Sequence, residues 1–231
     1  MNIRDLINNN SIDQSLDILK IVLSIISSVM LAVGVVQLID EKNGIEIAQG
    51  DRIYFGNSGC TVGFVDSKTR TITTAGHCQS VDKRGEPQKV YNIKRQYIGD
   101  VERNYIPDYG IDIATIKINN NVVLTNNKYS TNNIISMHEV TEEDKICVYG
   151  ATSKEISCDK IAFIGERTIT AHHGLHLRPG DSGGPVWVER DNEKYFLGIA
   201  ISTGTRKVLI DGKEETVEQS SLAPVSVINN L

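Results

Sequence analysis

Arg178-Pro179-Gly180-Asp181-Ser182-Gly183-Gly184-Pro185 sets a single serine between glycines, directly after an acidic residue. Glycine adopts backbone angles that other residues resist, so such a run can form a tight turn that pushes a hydroxyl outward. The same turn leaves the amides of Gly180 and Ser182 free to converge on a developing oxyanion. A serine hydroxyl is a weak nucleophile alone; it needs a base, and the base needs a group that orients it. Both occur upstream. His77 lies in Thr74-Ala75-Gly76-His77-Cys78, and Asp112 lies in Gly110-Ile111-Asp112-Ile113-Ala114-Thr115-Ile116-Lys117-Ile118.

The order His, Asp, Ser in these contexts resembles the chymotrypsin-like serine proteases. Other stretches resemble the bacterial streptogrisin and α-lytic branch. They are Ile47-Ala48-Gln49-Gly50-Asp51-Arg52-Ile53-Tyr54 with Cys60-Thr61-Val62-Gly63-Phe64, then Cys147-Val148-Tyr149-Gly150-Ala151-Thr152 with Cys158, and Ala223-Pro224-Val225. The resemblance covers residues 47–231. It implies an all-β fold of two six-stranded antiparallel β-barrels and a short C-terminal helix, with barrel one over residues 47–125 and barrel two over residues 130–231. It implies a serine endopeptidase that forms an acyl-enzyme on Ser182, with His77 as general base, Asp112 orienting it, and no cofactor. The amides of Gly180 and Ser182 would form the oxyanion hole. The implied disulfides are Cys60–Cys78 and Cys147–Cys158, and the first would also staple the strand bearing His77 to its neighbour.

Asp108, in Asp108-Tyr109-Gly110-Ile111, competes with Asp112 for the orienting role. Asp112 is preferred because Ile-Ala-Thr-Ile-Lys-Ile after it reads as the strand that the family places after its aspartate. Asp181 corresponds to the family's buried carboxylate behind the oxyanion loop, and a buried carboxylate calls for a cationic partner. The arginine that many relatives place in the second cysteine loop is replaced here by Val148 and Tyr149. The remaining candidates are Arg178, a histidine of residues 172–176, or an N-terminal amine near Ile47 released by cleavage.

By position relative to Ser182, Leu177 and Ile201 resemble the walls of the S1 pocket. Ser202-Thr203-Gly204 resembles the strand that pairs with substrate backbone. Two aliphatic walls without an acid imply an apolar P1 residue, with His176 near the pocket base in this mapping. His172, His173 and His176 also raise a metal, but Gly174 and Pro179 argue against a rigid helix presenting them, so no metal is expected.

Outward from the site, the 231-residue chain is 40% hydrophobic with net charge -5 and without a lysine- or arginine-rich run, which gives no electrostatic case for nucleic acid. The resemblance implies protein or peptide substrates as partners, with a monomer expected. Four cysteines without C-x-x-C spacing favour disulfides and an oxidising, extracytoplasmic compartment. Residues 21–39 carry no charge and suit either a secretory signal peptide or a transmembrane anchor, so residues 1–46 read as leader and linker.

From Ile47 onward, short β-rich runs alternate with Gly, Asn and Asp, the texture of a sandwich or barrel. Ile210-Asp211-Gly212-Lys213 suits a tight hairpin turn. Residues 119–133 hold seven asparagines and read as a surface crossing between lobes. Two other classes compete. A catalytically silent protease homologue acting as a binding module would usually have lost Ser or His, and both are present. A serine esterase with a nucleophile elbow would place a helix after the serine, whereas Pro185-Val186-Trp187-Val188 reads as a strand.

Overall fold

The structure is a computed structural model that describes residues 20–31, 44–172, 175–210 and 213–229. The chain divides into two compact units, Met1–Gly44 and Ile45–Leu231. In the first unit, residues 20–31 form a helix, α1, with Ile21, Leu23, Ile25 and Ile26 exposed. No described helix is long and apolar enough to cross a membrane. Residues 32–39 of the apolar run that suggested an anchor or signal peptide lie outside the described residues.

The second unit is almost entirely β. Its N-terminal lobe holds β2 (Arg52–Phe55), β3 (Ser58–Thr61), β4 (Phe64–Asp66), β5 (Thr71–Thr74), β6 (Lys89–Asn92), β7 (Tyr97–Asn104) and β8 (Ala114–Ile118). Alternation decides which side of each strand is buried: Ile53 and Phe55 point inward from β2, Ile72 from β5, and Ala114, Ile116 and Ile118 from β8. The order is β3-β2-β6-β7-β8-β5-β4, a seven-stranded sheet rather than the six-stranded closed barrel that the sequence suggested. The reason lies at Val62–Gly63, which join the two end strands. There the amide of Thr61 donates to Ser182 O (2.8 Å) and that of Gly63 to Thr73 O (2.8 Å), so the backbone leaves one ladder before entering the other. The end strands β3 and β4 are joined by this bend and not by a ladder.

The C-terminal lobe is a closed six-stranded barrel in the order β10-β11-β12-β15-β14-β13. Its strands are β10 (Lys145–Tyr149), β11 (Ile156–Ile164), β12 (Ile169–Ala171), β13 (Pro185–Arg190), β14 (Glu193–Ile210) and β15 (Lys213–Pro224). The strand read after Ser182 is thus β13, with Val186, Trp187 and Val188 fully buried. Ile210 pairs with Lys213 across the expected two-residue hairpin loop. A short helix, α3 (Ser226–Asn229), ends the described chain.

The asparagine-rich tract is more structured than a plain crossing. Residues Val122–Leu124 form β9, which pairs in parallel with β1 (Ile45–Ile47). Beyond it, Asn127 exchanges hydrogen bonds with the backbone of Val65, and buried Gln49 accepts the amides of Tyr129 and Ser130. Apolar patterning could not show this, because the tract is held by side-chain amides.

The two lobes share core. Phe196, Ile199, Ala223 and Val225 from the barrel join the cluster of the N-terminal sheet, and Phe196 stacks on Phe64 at 4.6 Å between ring centroids. Phe196 is fully buried, so Phe196→Ala is expected to cost about 3–5 kcal/mol of unfolding free energy in urea titration. A cost below about 1 kcal/mol would show that the lobes do not rely on this contact.

Candidate active site

His77 sits on a 3-10 turn, Gly76–Cys78, immediately after β5. The Cys60–Cys78 disulfide ties this turn to β3. Asn104, at the end of β7, donates to Gly76 O (2.7 Å) and fixes the turn from below. Asp112 precedes β8 between Ile111 and Ile113, both buried, and the amide of Ile113 bonds to Ile111 O (2.8 Å). Anchoring both neighbours turns the Asp112 side chain out of the lobe. Its carboxylate grips His77 twice: Oδ1 accepts the His77 amide and Oδ2 meets ring Nδ1, each at 2.7 Å. A proton held on Nδ1 by the carboxylate leaves Nε2 of the neutral ring as the basic nitrogen.

Asp108, the competing carboxylate, lies on α2 (Ile106–Tyr109) and pairs with Arg103 at 2.6 Å, both side chains about half exposed. It is an ion-paired surface group, and Asp112 is the carboxylate at the histidine.

Ser182 comes from the other lobe, just before β13. Its hydroxyl donates to Ile201 O at 3.2 Å. The turn around it reads from the backbone. Gly180 and Gly183 have φ of +99° and +85°, angles that a side chain would strain. Thr152 Oγ1 donates to Pro179 O (3.1 Å) and the Gly184 amide donates to Asp181 O (2.9 Å). In a trans peptide the N–H points opposite to the C=O. Holding these two carbonyls therefore aims the amides of Gly180 and Ser182 the other way, and among the described residues neither amide has a hydrogen-bond acceptor. Two free donors beside a hydroxyl can stabilise a developing negative charge on an acyl oxygen.

The buried carboxylate behind this turn corrects an expectation. Asp181 has no solvent exposure. Instead of a cation it has three backbone amides: Thr152 and Ser153 donate to Oδ1 at 2.7 and 3.0 Å, and Arg178 donates to Oδ2 at 2.8 Å. Arg178 contributes its backbone, while its guanidinium lies 3.7 Å from Glu155. His176 is also elsewhere, three-quarters exposed and 3.7 Å from Glu218. Ile47, where a cleaved amine was considered, is the buried end of β1. Amide bonds to a carboxylate are charge-assisted, and three of them replace the missing arginine.

A cleft of about 470 Å³ opens over these groups, lined by His77, Asp112, Leu177, Arg178, Pro179, Ser182, Ile201, Ser202 and Thr203. Of the residues selected from sequence, His77, Asp112, Ser182, Leu177, Ile201, Ser202 and Thr203 line it, while Gly180, Gly204 and His176 do not. Arg178 and Pro179 are walls that sequence reasoning missed. So are Gly150, Thr152, Ser153 and Thr61, which seat the loop; Thr61 Oγ1 donates to Gly180 O at 2.8 Å. Their signal was proximity to motif residues, without a side-chain chemistry of its own. The second disulfide, Cys147–Cys158, joins directly paired residues of β10 and β11. His173 and Gly174 lie outside the described residues, and among those described no group of three His, Cys, Asp or Glu side chains is arranged to hold a metal.

A crystal structure of Thermobifida fusca Protease A superimposes with a TM-score of 0.55, covering 80% of this chain and 95% of that one at 21% identity. The fold is shared with the chymotrypsin-like proteases. No protein-family model matches the chain. Two curated relatives, both named uncharacterized proteins of Mycobacterium tuberculosis (MT1863 and Rv1815), are 26% and 25% identical over 162 and 161 residues, 64% of this chain. The match spans 66% of the length of each relative.

The seating of Asp181 gives a test. A Cβ on Gly150 would overlap the Asp181 carboxylate. Gly150→Ala is expected to destabilise the fold by about 2–3 kcal/mol, read from the urea midpoint. Wild-type stability would show that the carboxylate is not seated against Gly150.

Proposed function

We propose that the protein is a serine endopeptidase. The single observation that carries the reading is the double grip of Asp112 on His77, in one cleft with Ser182. Ser182 Oγ attacks the carbonyl carbon of a peptide bond while His77 Nε2 takes its proton. The carbonyl oxygen becomes an oxyanion held by the amides of Gly180 and Ser182. The C–N bond breaks, the leaving amine takes the proton from His77, and the acyl group stays on Ser182. Water then repeats the sequence: His77 accepts a water proton, the ester breaks, and the proton returns to Ser182 Oγ. Asp112 holds the ring tautomer and stabilises the imidazolium.

Leu177 and Ile201 in the cleft support an apolar P1 residue, and Ser202 and Thr203 support pairing with substrate backbone. The quoted stretches support a likeness to the streptogrisin and α-lytic branch. Two disulfides fit an oxidising compartment, which supports secretion or a tether at the outer face of a membrane. A silent homologue is the competing reading, favoured by the Ser182 hydroxyl bonding to Ile201 O. Hydrogen bonds of this type often reach catalytic alignment only once substrate is bound.

Peptide hydrolysis by point variants separates the readings. Asp112→Asn is expected to lower kcat by about 10^4-fold, the loss the same change causes in the family's reference triad. Asp108→Asn is expected to stay within about twofold of wild type, as for a surface ion pair. Equal losses in both variants, or peptide turnover that survives Asp112→Asn, would contradict this assignment.

A further inference from the structure

Arg52, on β2, lies beside the candidate oxyanion loop. Its guanidinium fills a slot between two glycines. A Cβ on Gly59 would stand 2.5 Å from Arg52 Nη2, and one on Gly180 would stand 2.7 and 2.8 Å from Nη1 and Nη2. Nη1 also donates to Thr152 Oγ1, the same hydroxyl that holds Pro179 O. Arg52 thus touches the loop that aims the Gly180 amide. Next to it, Tyr54 carries Arg52 at 5.5 Å and Arg95 at 3.7 Å from its ring. Among the described residues neither arginine forms an ion pair. Two guanidiniums thus share one ring, Arg52 bonded to Thr152 Oγ1 and Arg95 to Gly56 O, in a chain of net charge -5.

The side of the cleft that Arg52 occupies follows from the chemistry of the proposed function, on which this inference rests. Ser182 is flanked by Ile201, the acceptor of its hydroxyl, and by Thr61, whose amide donates to Ser182 O. The acyl half of a substrate lies along Ile201–Thr203. The leaving half therefore departs on the opposite side of Ser182, where His77 protonates the new amine. Side chains of an extended peptide alternate, so P2′ points to the same face as P1. P1 sits against Leu177–Pro179, and Arg52 abuts Gly180 at the far end of that wall. The geometry points to Arg52 as a specificity residue that reads a carboxylate at P2′, so that preferred substrates carry Asp or Glu two residues after the scissile bond. The guanidinium suits this task because its fixed fork can hold a carboxylate through two parallel bonds.

Matched peptides with an apolar P1 residue and Glu, Gln or Lys at P2′ test this on full-length protein. Wild type is expected to show kcat/KM about tenfold higher for Glu than for Gln, a ratio that falls with added salt. Lys should be poorer than Gln. In Arg52→Gln the Glu-to-Gln ratio should fall towards one, and in Arg52→Lys it should be partly retained. The ratio within one preparation does not depend on how much of a variant folds, and the wild-type comparison needs no variant. Cleavage of all three peptides at equal kcat/KM would overturn the role of Arg52 and leave the endopeptidase reading standing. Cleavage of none of them by folded protein would overturn both.

Discussion

The Asp181 carboxylate, wholly removed from water one residue before the candidate nucleophile, makes the sharpest demand on the surrounding chain. A buried charge left unsatisfied costs several kcal/mol. Three backbone amides meet the demand, and two of them belong to the turn between β10 and β11. That turn is held in place because Cys147 and Cys158 are paired in register and covalently joined at the base of the hairpin. Gly150 has no side chain to obstruct the carboxylate. The order runs from disulfide to hairpin, from hairpin to amides, and from amides to the loop 178–184 that carries Ser182. A loop anchored this way is formed without a charged partner supplied from elsewhere.

The other half of the site depends on different ties. His77 and Asp112 come from the N-terminal sheet, placed by the Cys60–Cys78 bridge, by Asn104 and by the buried isoleucines on either side of Asp112. Ser182 comes from the barrel. Relative placement therefore passes through the shared core, where Phe64 stacks on Phe196, and through the Thr61 amide that bonds directly to Ser182 O. The bend at Val62–Gly63, which opens the ladder of the first sheet, frees that amide for the other lobe.

Much of this was legible in the residues. Gly180 to Pro185, Gly76-His77-Cys78 and the alternating strand after Asp112 have local causes: turns that need glycine, and strands with one buried face. The choice of Asp112 over Asp108 was legible for the same reason, since a strand, β8, follows Asp112, whereas Asp108 lies on the short helix α2. The partner of Asp181 was not. Side-chain patterns record cations and carboxylates but carry no mark for a backbone amide, so three amides could not be read where an arginine was missing. Closure of the first sheet was also hidden, because it depends on where two amides at a bend find acceptors. The asparagine tract does cross between the lobes, but its polar anchors and the short strand β9 were not legible, and His176 lies exposed beside Glu218 rather than in the cleft.

We propose that Ser182 is an activated nucleophile in a preformed oxyanion site. Intact-mass analysis after treatment with a fluorophosphonate measures this most directly. One adduct per chain on the wild-type protein, mapped to Ser182 and absent in Ser182→Ala, is the predicted result. Folded wild-type protein that gains no mass under the same conditions would contradict the account.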